Sequence, residues 1–178
     1  DKKAFPNAKE LQSKENLGGT LISSMDGDVD GDGDYDALYT FGARSFTIWD
    51  SNLNIVYDSG DALEQITWTY NDEKYFNTSN DKDKFDNRSP KKGPEPEGVV
   101  TGVIDDNTFA FILLERIGGV AVYNVSNPYE PLFNQYINNR TFGVDVKSKA
   151  AGDLGPEDAV FISAAQSPNG KNLLAVAN

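Results

Sequence analysis

Gly93-Pro94-Glu95-Pro96-Glu97-Gly98-Val99-Val100 leads into a hairpin ending at Phe109–Glu115, and Gly155-Pro156-Glu157-Asp158-Ala159-Val160-Phe161 leads into another ending at Leu173–Asn178. The two stretches lie about 60 residues apart. Between them run four short apolar segments in up-and-down order: Val99–Ile104, Phe109–Leu114, Val120–Val125 and Leu132–Ile137. A repeat of four strands is the unit of a β-propeller blade. The echo therefore points to an all-β fold built of propeller blades, with a two-sheet sandwich as the competing architecture.

Outward from the echo the pattern stays β. Further strands are expected at Ala37–Phe41, Ser45–Trp49, Ile55–Tyr57, Ala159–Ser163 and Leu173–Ala177, bounded by Gly, Pro, Asn and Asp. Ser51-Asn52-Leu53-Asn54, Asp105-Asp106-Asn107 and Ser167-Pro168-Asn169-Gly170 carry the chemistry of tight turns. Helical periodicity is confined to Ala8–Leu17, which predicts a short helical turn, and to Ala62–Trp68, where helix and strand both fit. Asn71 to Lys92 is a long polar excursion. It reads either as a solvated loop or as a functional insertion over one face of the scaffold.

The expected organisation is one propeller domain in five parts. These are a leading segment (1–24), an acidic loop with hairpin strands (25–70), the polar loop (71–92), one four-strand blade (93–150) and the start of the next blade (151–178). That amounts to about two blades, whereas closure needs about four or more. The only Met is Met25, and Asn172–Asn178 reads as a strand with no cap after it. Both features predict a processed or excerpted chain whose first partner is the remainder of its own propeller.

Composition narrows the chemistry. The 178 residues carry 28 acidic and 16 basic side chains, a net charge of −12. Such a surface repels phosphate backbones, which argues against nucleic-acid binding, and it attracts cations. There is no Cys and no His, which removes disulfides, thiolate nucleophiles, Ser-His-Asp arrangements and most transition-metal sites. Oxygen ligation of Ca²⁺ or Mg²⁺ remains. No apolar stretch approaches the ~20 residues needed to span a bilayer.

The strongest local signal is Asp26-Gly27-Asp28-Val29-Asp30-Gly31-Asp32-Gly33-Asp34-Tyr35-Asp36, six carboxylates in eleven residues. At this spacing alternate side chains of a tight loop converge on one hard ion, and Gly supplies the bend. Two registers fit. One begins at Asp26; the preferred one uses Asp28, Asp30, Asp32, Asp34 (through its carbonyl) and Asp36, which then abuts Ala37-Leu38-Tyr39. The twelfth position is Tyr39 or Ala37 rather than Glu, so an EF-hand is not indicated. The loop is similar to the nine-residue strand-joining loops of integrin-type propellers, which implies a structural Ca²⁺. An acidic solvated turn is the alternative.

Glu95 and Glu97 flank a proline, and Glu97, Glu115 and Glu157 could face one another across a propeller channel, where loops of one face converge. Paired there, they would hold a second metal or act as acid and base. Paired instead with Arg116 or a nearby Lys, they are structural. Sequons stand at Asn77-Thr78-Ser79, Asn87-Arg88-Ser89, Asn124-Val125-Ser126 and Asn139-Arg140-Thr141. They matter only in a secreting eukaryote.

Taken together, Asp28–Asp36 followed by Leu38-Tyr39-Thr40-Phe41-Gly42-Ala43-Arg44-Ser45-Phe46-Thr47-Ile48-Trp49, then Gly93–Gly98, Leu114-Glu115-Arg116-Ile117-Gly118-Gly119 and Tyr136-Ile137-Asn138-Asn139-Arg140, resemble one family. Gly152–Glu157 and Ser167–Lys171 fit as well. The family is the choice-of-anchor I domain, with mesenchyme-specific cell-surface glycoproteins among its members and bacterial relatives often labelled alkaline phosphatase. The resemblance runs from about Met25 to Asn178. Asp158 departs from it, since the family usually has Gly after Pro-Glu.

The resemblance implies a secreted or surface-anchored propeller in bacteria and a calcium-linked glycoprotein in animals. With the acidic surface and the calcium loop, the expectation is a secreted or cell-surface calcium-binding module for adhesion, matrix or mineral contact, without enzymatic activity. The alternative that the resemblance implies is a Ca²⁺- or Mg²⁺-dependent phosphoesterase. In that case Glu97, Glu115 and Asp83 would be metal ligands of a channel site, and Arg44, Arg88 and Arg116 its anion contacts.

Overall fold

The computed structural model describes residues 1–42 and 44–178; Ala43, within the stretch that carries the family resemblance, lies outside the described residues. The chain is mostly β, and every strand pairing within its three sheets is antiparallel. Short strands β1 (Thr47–Trp49) and β2 (Ile55–Asp58) form the first sheet. Strands β3 (Pro96–Ile104), β4 (Asn107–Leu114), β5 (Val120–Asn124) and β6 (Leu132–Ile137) form the second, in sequential order. The third joins β7 (Asp158–Ile162) to β8 (Leu173–Ala177). Helices are short: α1 (Ala8–Leu11) and α2 (Ala62–Tyr70).

The second sheet is the centre of the molecule because its middle strands are apolar on both faces. Along β4, Ala110, Ile112 and Leu114 join Ala121 and Tyr123 of β5 in one cluster, closed by Leu63 and Ile66 of α2 and by Phe46. Phe111 and Leu113 alternate with them and point the other way, joining Val120 and Val122 against Phe161 of β7 and Leu174 and Val176 of β8. A strand buried on two sides reads in sequence as an unbroken apolar run, which is how Phe109–Leu114 reads. The third sheet therefore packs face to face on the second, and α2, with Phe46 just before β1, covers the second sheet's other face.

Two glycines set the spacing of the second interface. On β3 the side toward β7 carries Gly98 and Gly102. A Cβ on Gly98 would lie 2.9 Å from the Glu157 carbonyl oxygen, and one on Gly102 would lie 2.4 Å from the Phe161 ring. The Phe161 ring in turn stacks on Phe111, with centroids 5.8 Å apart.

Ala62–Trp68, open between helix and strand in the sequence, is α2. Leu63 and Thr67, one turn apart, are its buried positions, and the Asn71 side chain donates to the Thr67 carbonyl at its end. One expected strand is absent. Ala37–Phe41 forms only an isolated bridge, Thr40 to Ile22, and Leu38, Tyr39 and Phe41 stay exposed. The segment opposite, around Ile22, offers a single paired residue, too little to order a ladder.

The 71–92 excursion is solvated along most of its length but buried at its middle. Asn77 and Thr78 are fully buried and Ser79 nearly so. Thr78 ties the segment to itself, donating to the Lys82 carbonyl at 2.7 Å and accepting from the Lys84 amide at 2.7 Å.

Introducing Gly102→Ala is expected to overpack the β3–β7 interface and destabilise the protein by about 1–3 kcal/mol. Phe161→Leu in the same chain should recover part of that loss. Denaturant unfolding of the two single variants and the double variant measures the coupling.

A candidate cation loop and a buried carboxylate network

The acidic loop is organised by its own backbone. The Gly27 carbonyl accepts from the Asp36 and Ala37 amides at 2.7 and 3.1 Å, which closes the loop at its base. Gly27, Gly31 and Gly33 all adopt positive φ, conformations that side-chain-bearing residues resist. The Asp28 carboxylate lies inside the turn and accepts the amides of Gly31, Asp32 and Gly33 at 2.7, 3.1 and 3.0 Å. Asp36 accepts the Val29 amide at 2.9 Å.

One carboxylate oxygen each from Asp28, Asp30 and Asp36 lies within 4.8 Å of the others. Each carboxylate has about four lone-pair sites, so the amide bonds leave acceptor capacity on all three. The donor set is all oxygen and anionic, which fits a hard divalent cation. The remaining acids of the loop lie outside this trio. Asp26 accepts the Ser23 hydroxyl at 2.7 Å, and Asp32 accepts the Asp34 amide at 3.0 Å. Asp34 lies 2.9 Å from the amino group of Asp1, and carboxylate oxygens of Asp1, Asp34 and Asp36 make a second group within 4.8 Å that shares Asp36. Thus the structure gathers the first, second and last acids of the register that begins at Asp28. It does not bring Asp32, Asp34 or Asp26 into that group. Nor does Asp36 abut a strand, since Ala37–Phe41 is not one.

The second cluster lies at the start of β3. Glu95 is 2% exposed and left-handed at φ 58°. Its Oε2 is 2.6 Å from both Arg88 Nη2 and Arg116 Nε, and its Oε1 meets the Lys92 ammonium. Lys92 also reaches Glu97 at 3.1 Å, and Arg116 reaches Glu115 at 2.8 Å. Oxygens of Glu95, Glu97 and Glu115 lie within 4.8 Å of one another. Three carboxylates thus face three cations, a charge-balanced set.

Of the residues expected at a channel site, Glu97, Glu115, Arg88 and Arg116 come together here. Asp83 does not. It pairs at 2.7 Å with Arg140, a buried guanidinium that also donates to the Ser79 carbonyl at 2.7 Å and the Arg116 carbonyl at 3.0 Å. Arg44 pairs with Glu64, away from the cluster. Glu157 is exposed and forms no part of the trio; Glu95 occupies the place expected of it. Sequence reasoning noticed Glu95 only as a proline neighbour. The signal that could have singled it out is the Gly-Pro-Glu-Pro string, which restricts the backbone on both sides of one acid. Asn77 of the first sequon is fully buried and donates to Glu64 and Ser89 at 2.7 and 2.8 Å, a packing that leaves no room for a glycan.

Burial acts on the two central acids with different results. It would raise the Glu95 carboxyl, but hydrogen bonds from Arg116 and Lys92 outweigh it and hold the group at about 2. Burial also raises Glu115, where the single contact with Arg116 is opposed by Glu97 and Glu95. Glu115 Oε2 has no hydrogen-bond partner among the described residues.

The sequence model of the choice-of-anchor I domain matches residues 1–128; the resemblance read from the motifs instead ran from Met25 to Asn178. Gigasin-3a of Magallana gigas is 29% identical over 178 aligned positions, covering 93% of this chain and 62% of its own length. The mesenchyme-specific cell surface glycoprotein of Strongylocentrotus purpuratus is 22% identical over 166 positions, covering 83% of this chain and 21% of its own. The chain thus spans less than two thirds of either relative. No solved structure matches it.

The opposite shifts of Glu95 and Glu115 give a pH test. A raised native value means that ionising Glu115 disfavours the fold as pH rises through the ordinary carboxylate range and above it. Glu115→Gln should therefore raise the Tm at pH 7 and lose that advantage below about pH 4. Glu95→Gln should do the reverse: it lowers Tm at neutral pH, and the difference begins to narrow below the ordinary carboxylate range, where the unfolded chain takes up the proton that the native group, held at about 2, does not. Thermal unfolding of the three proteins from pH 3 to 8 separates the two effects.

Proposed function

The chain belongs to the choice-of-anchor I domain family, and from that premise we propose that it is a secreted or cell-surface calcium-binding β-propeller module for adhesion, matrix or mineral contact, without enzymatic activity. The observation that carries this reading is the convergence of Asp28, Asp30 and Asp36 in a glycine-shaped loop. These three carboxylates would hold Ca²⁺, and the ion would neutralise their repulsion and fix the loop. Asp32 and Asp34, the other acids of that register, would lend negative charge nearby. A relative whose name is a cell surface glycoprotein supports the location, and among the described residues no helix is long and apolar enough to cross a membrane.

Propeller architecture is supported by antiparallel sheets of consecutive strands, the third packed face to face on the second. The four-stranded member has the size and strand order of one blade. Further blades and an extracellular ligand are the partners this reading requires. As for phosphoester chemistry, the Glu95–Glu97–Glu115 trio is matched by Arg88, Lys92 and Arg116. A neutral cluster has no surplus charge with which to draw a catalytic cation, and that supports a structural role for it.

Thermal unfolding of the intact protein in Ca²⁺ and in chelator tests the reading. A ligand held only by the folded state adds about 2.7 kcal/mol at a hundredfold excess over Kd, which appears as a Tm rise of several degrees. Asp28→Asn and Asp30→Ala should abolish the rise, and Asp26→Asn should keep it. A Tm indifferent to Ca²⁺ in the cooperatively folded parent would overturn the calcium assignment.

A further inference from the structure

Helix α2 borders an open cleft of about 490 Å³ whose lining includes Asp61, Gln65, Trp68, Thr69 and Phe76. Its lining also includes Glu64 and Ser89 and shares no residue with the acidic loop or with the Glu95 network. Trp68, one of only two tryptophans, is 45% exposed on this helix. Its ring is set edge-on against Phe76, with centroids 5.2 Å apart and planes at 78°. Phe76 is backed by Phe85 at 6.4 Å. The indole is therefore held by aromatic neighbours while much of its surface faces solvent.

The polar groups beside it follow helical spacing. Asp61, Gln65 and Thr69 are four residues apart, so they share one helix face. Gln65 donates one amide hydrogen to Asp61 Oδ1 at 2.9 Å. That bond orients the amide. The Gln65 carbonyl oxygen, its second N–H and Asp61 Oδ2 have no protein partner among the described hydrogen bonds. Donors and acceptors thus line the same cleft as the indole.

We propose that this cleft is a saccharide-binding site, with a pyranose ring seated on Trp68 and its hydroxyls bonded to Asp61 and Gln65. The C–H face of a pyranose is apolar and slightly positive, and it complements the negative face of an indole. Vicinal hydroxyls are both donors and acceptors and match the carboxylate–amide pair. An aromatic wall with a few fixed polar groups is the usual form of a small-ligand site. Aromatic geometry separates this occupant from an organic cation. Glu64, the second acid of the cleft, is engaged by Arg44 and by Asn77, and Phe76 meets the indole edge-on. One exposed indole face suits a flat ring rather than the aromatic cage that encloses a quaternary ammonium.

The test uses Trp49→Phe in the intact protein, so that Trp68 alone emits. Titration with cellobiose, lactose, maltose and chitobiose, against glycerol as a non-ring polyol, is expected to give a saturable emission change for at least one disaccharide and none for glycerol. Gln65→Ala and Asp61→Asn should each weaken that binding several-fold. Trp68→Phe should weaken it further when followed by calorimetry, while circular dichroism remains that of the parent. Three results would overturn the proposal. They are no saturable response to any of the four sugars, affinity unchanged in all three cleft variants, or saturable binding of tetramethylammonium in preference to the sugars.

Discussion

A carboxylate taken out of water must be met by positive charge, and the arrangement around Glu95 follows from that requirement. Its side chain lies at the junction of the 71–92 excursion, the start of β3 and the β4–β5 turn, and each contributes a partner or a backbone bond. Arg88 and Lys92 come from the excursion, and Arg116 comes from the turn. The Glu95 carbonyl accepts the Glu115 amide at 3.0 Å. Arg116 then holds Asn80 at 3.0 Å, and Arg140 bonds the Arg116 and Ser79 carbonyls. Breaking a buried pair from one side leaves an uncompensated charge that costs about 3–5 kcal/mol. The left-handed backbone at Glu95 is a strained choice for a residue with a side chain, and this ring of cations offsets it.

The two acidic clusters of the molecule solve the same electrostatic problem differently. The network around Glu95 brings its counter-charges from within the chain, across sequence separations of up to 21 residues. The 26–36 loop gathers its acids from one short segment and has no basic side chain inside it. Its backbone amides supply partial positive charge to Asp28, but amide dipoles do not cancel several full charges. The first cluster is charge-balanced by the chain itself. In the proposed reading the second takes its counter-charge from a bound cation.

Local chemistry was what the sequence made plain. Strands β3 to β6 and their meander order were readable because Phe109–Leu114 is an unbroken apolar run and its neighbours are set off by Asp105-Asp106-Asn107 and Gly118-Gly119. The acidic loop was readable because all its groups are contiguous. Ala37–Phe41 misled because apolar composition says nothing about whether a partner strand exists. The burial of Asn77, Thr78 and Ser79 was hidden for the converse reason. Polar residues enter a core only when distant groups satisfy them, and Arg140, 61 residues away from Ser79, leaves no trace in the local pattern. Glu95 escaped notice on the same ground, since its importance lies in Arg116 on another strand connection.

The sequential order of the sheets also bears on how the chain reaches this state. Every strand pairs with its neighbour in sequence, so each ladder can form by closing a short loop, on a microsecond scale for an individual hairpin. The Arg140–Ser79 bond, by contrast, closes a segment that includes the whole four-stranded sheet. Chain-closure entropy rises with such a span, so this contact gains most when the sheet has already shortened the path between its ends. Assembly by accretion follows: hairpins first, then the apolar faces that stack them, and last the polar clasp that fastens residues 77–80 over the turn between β4 and β5.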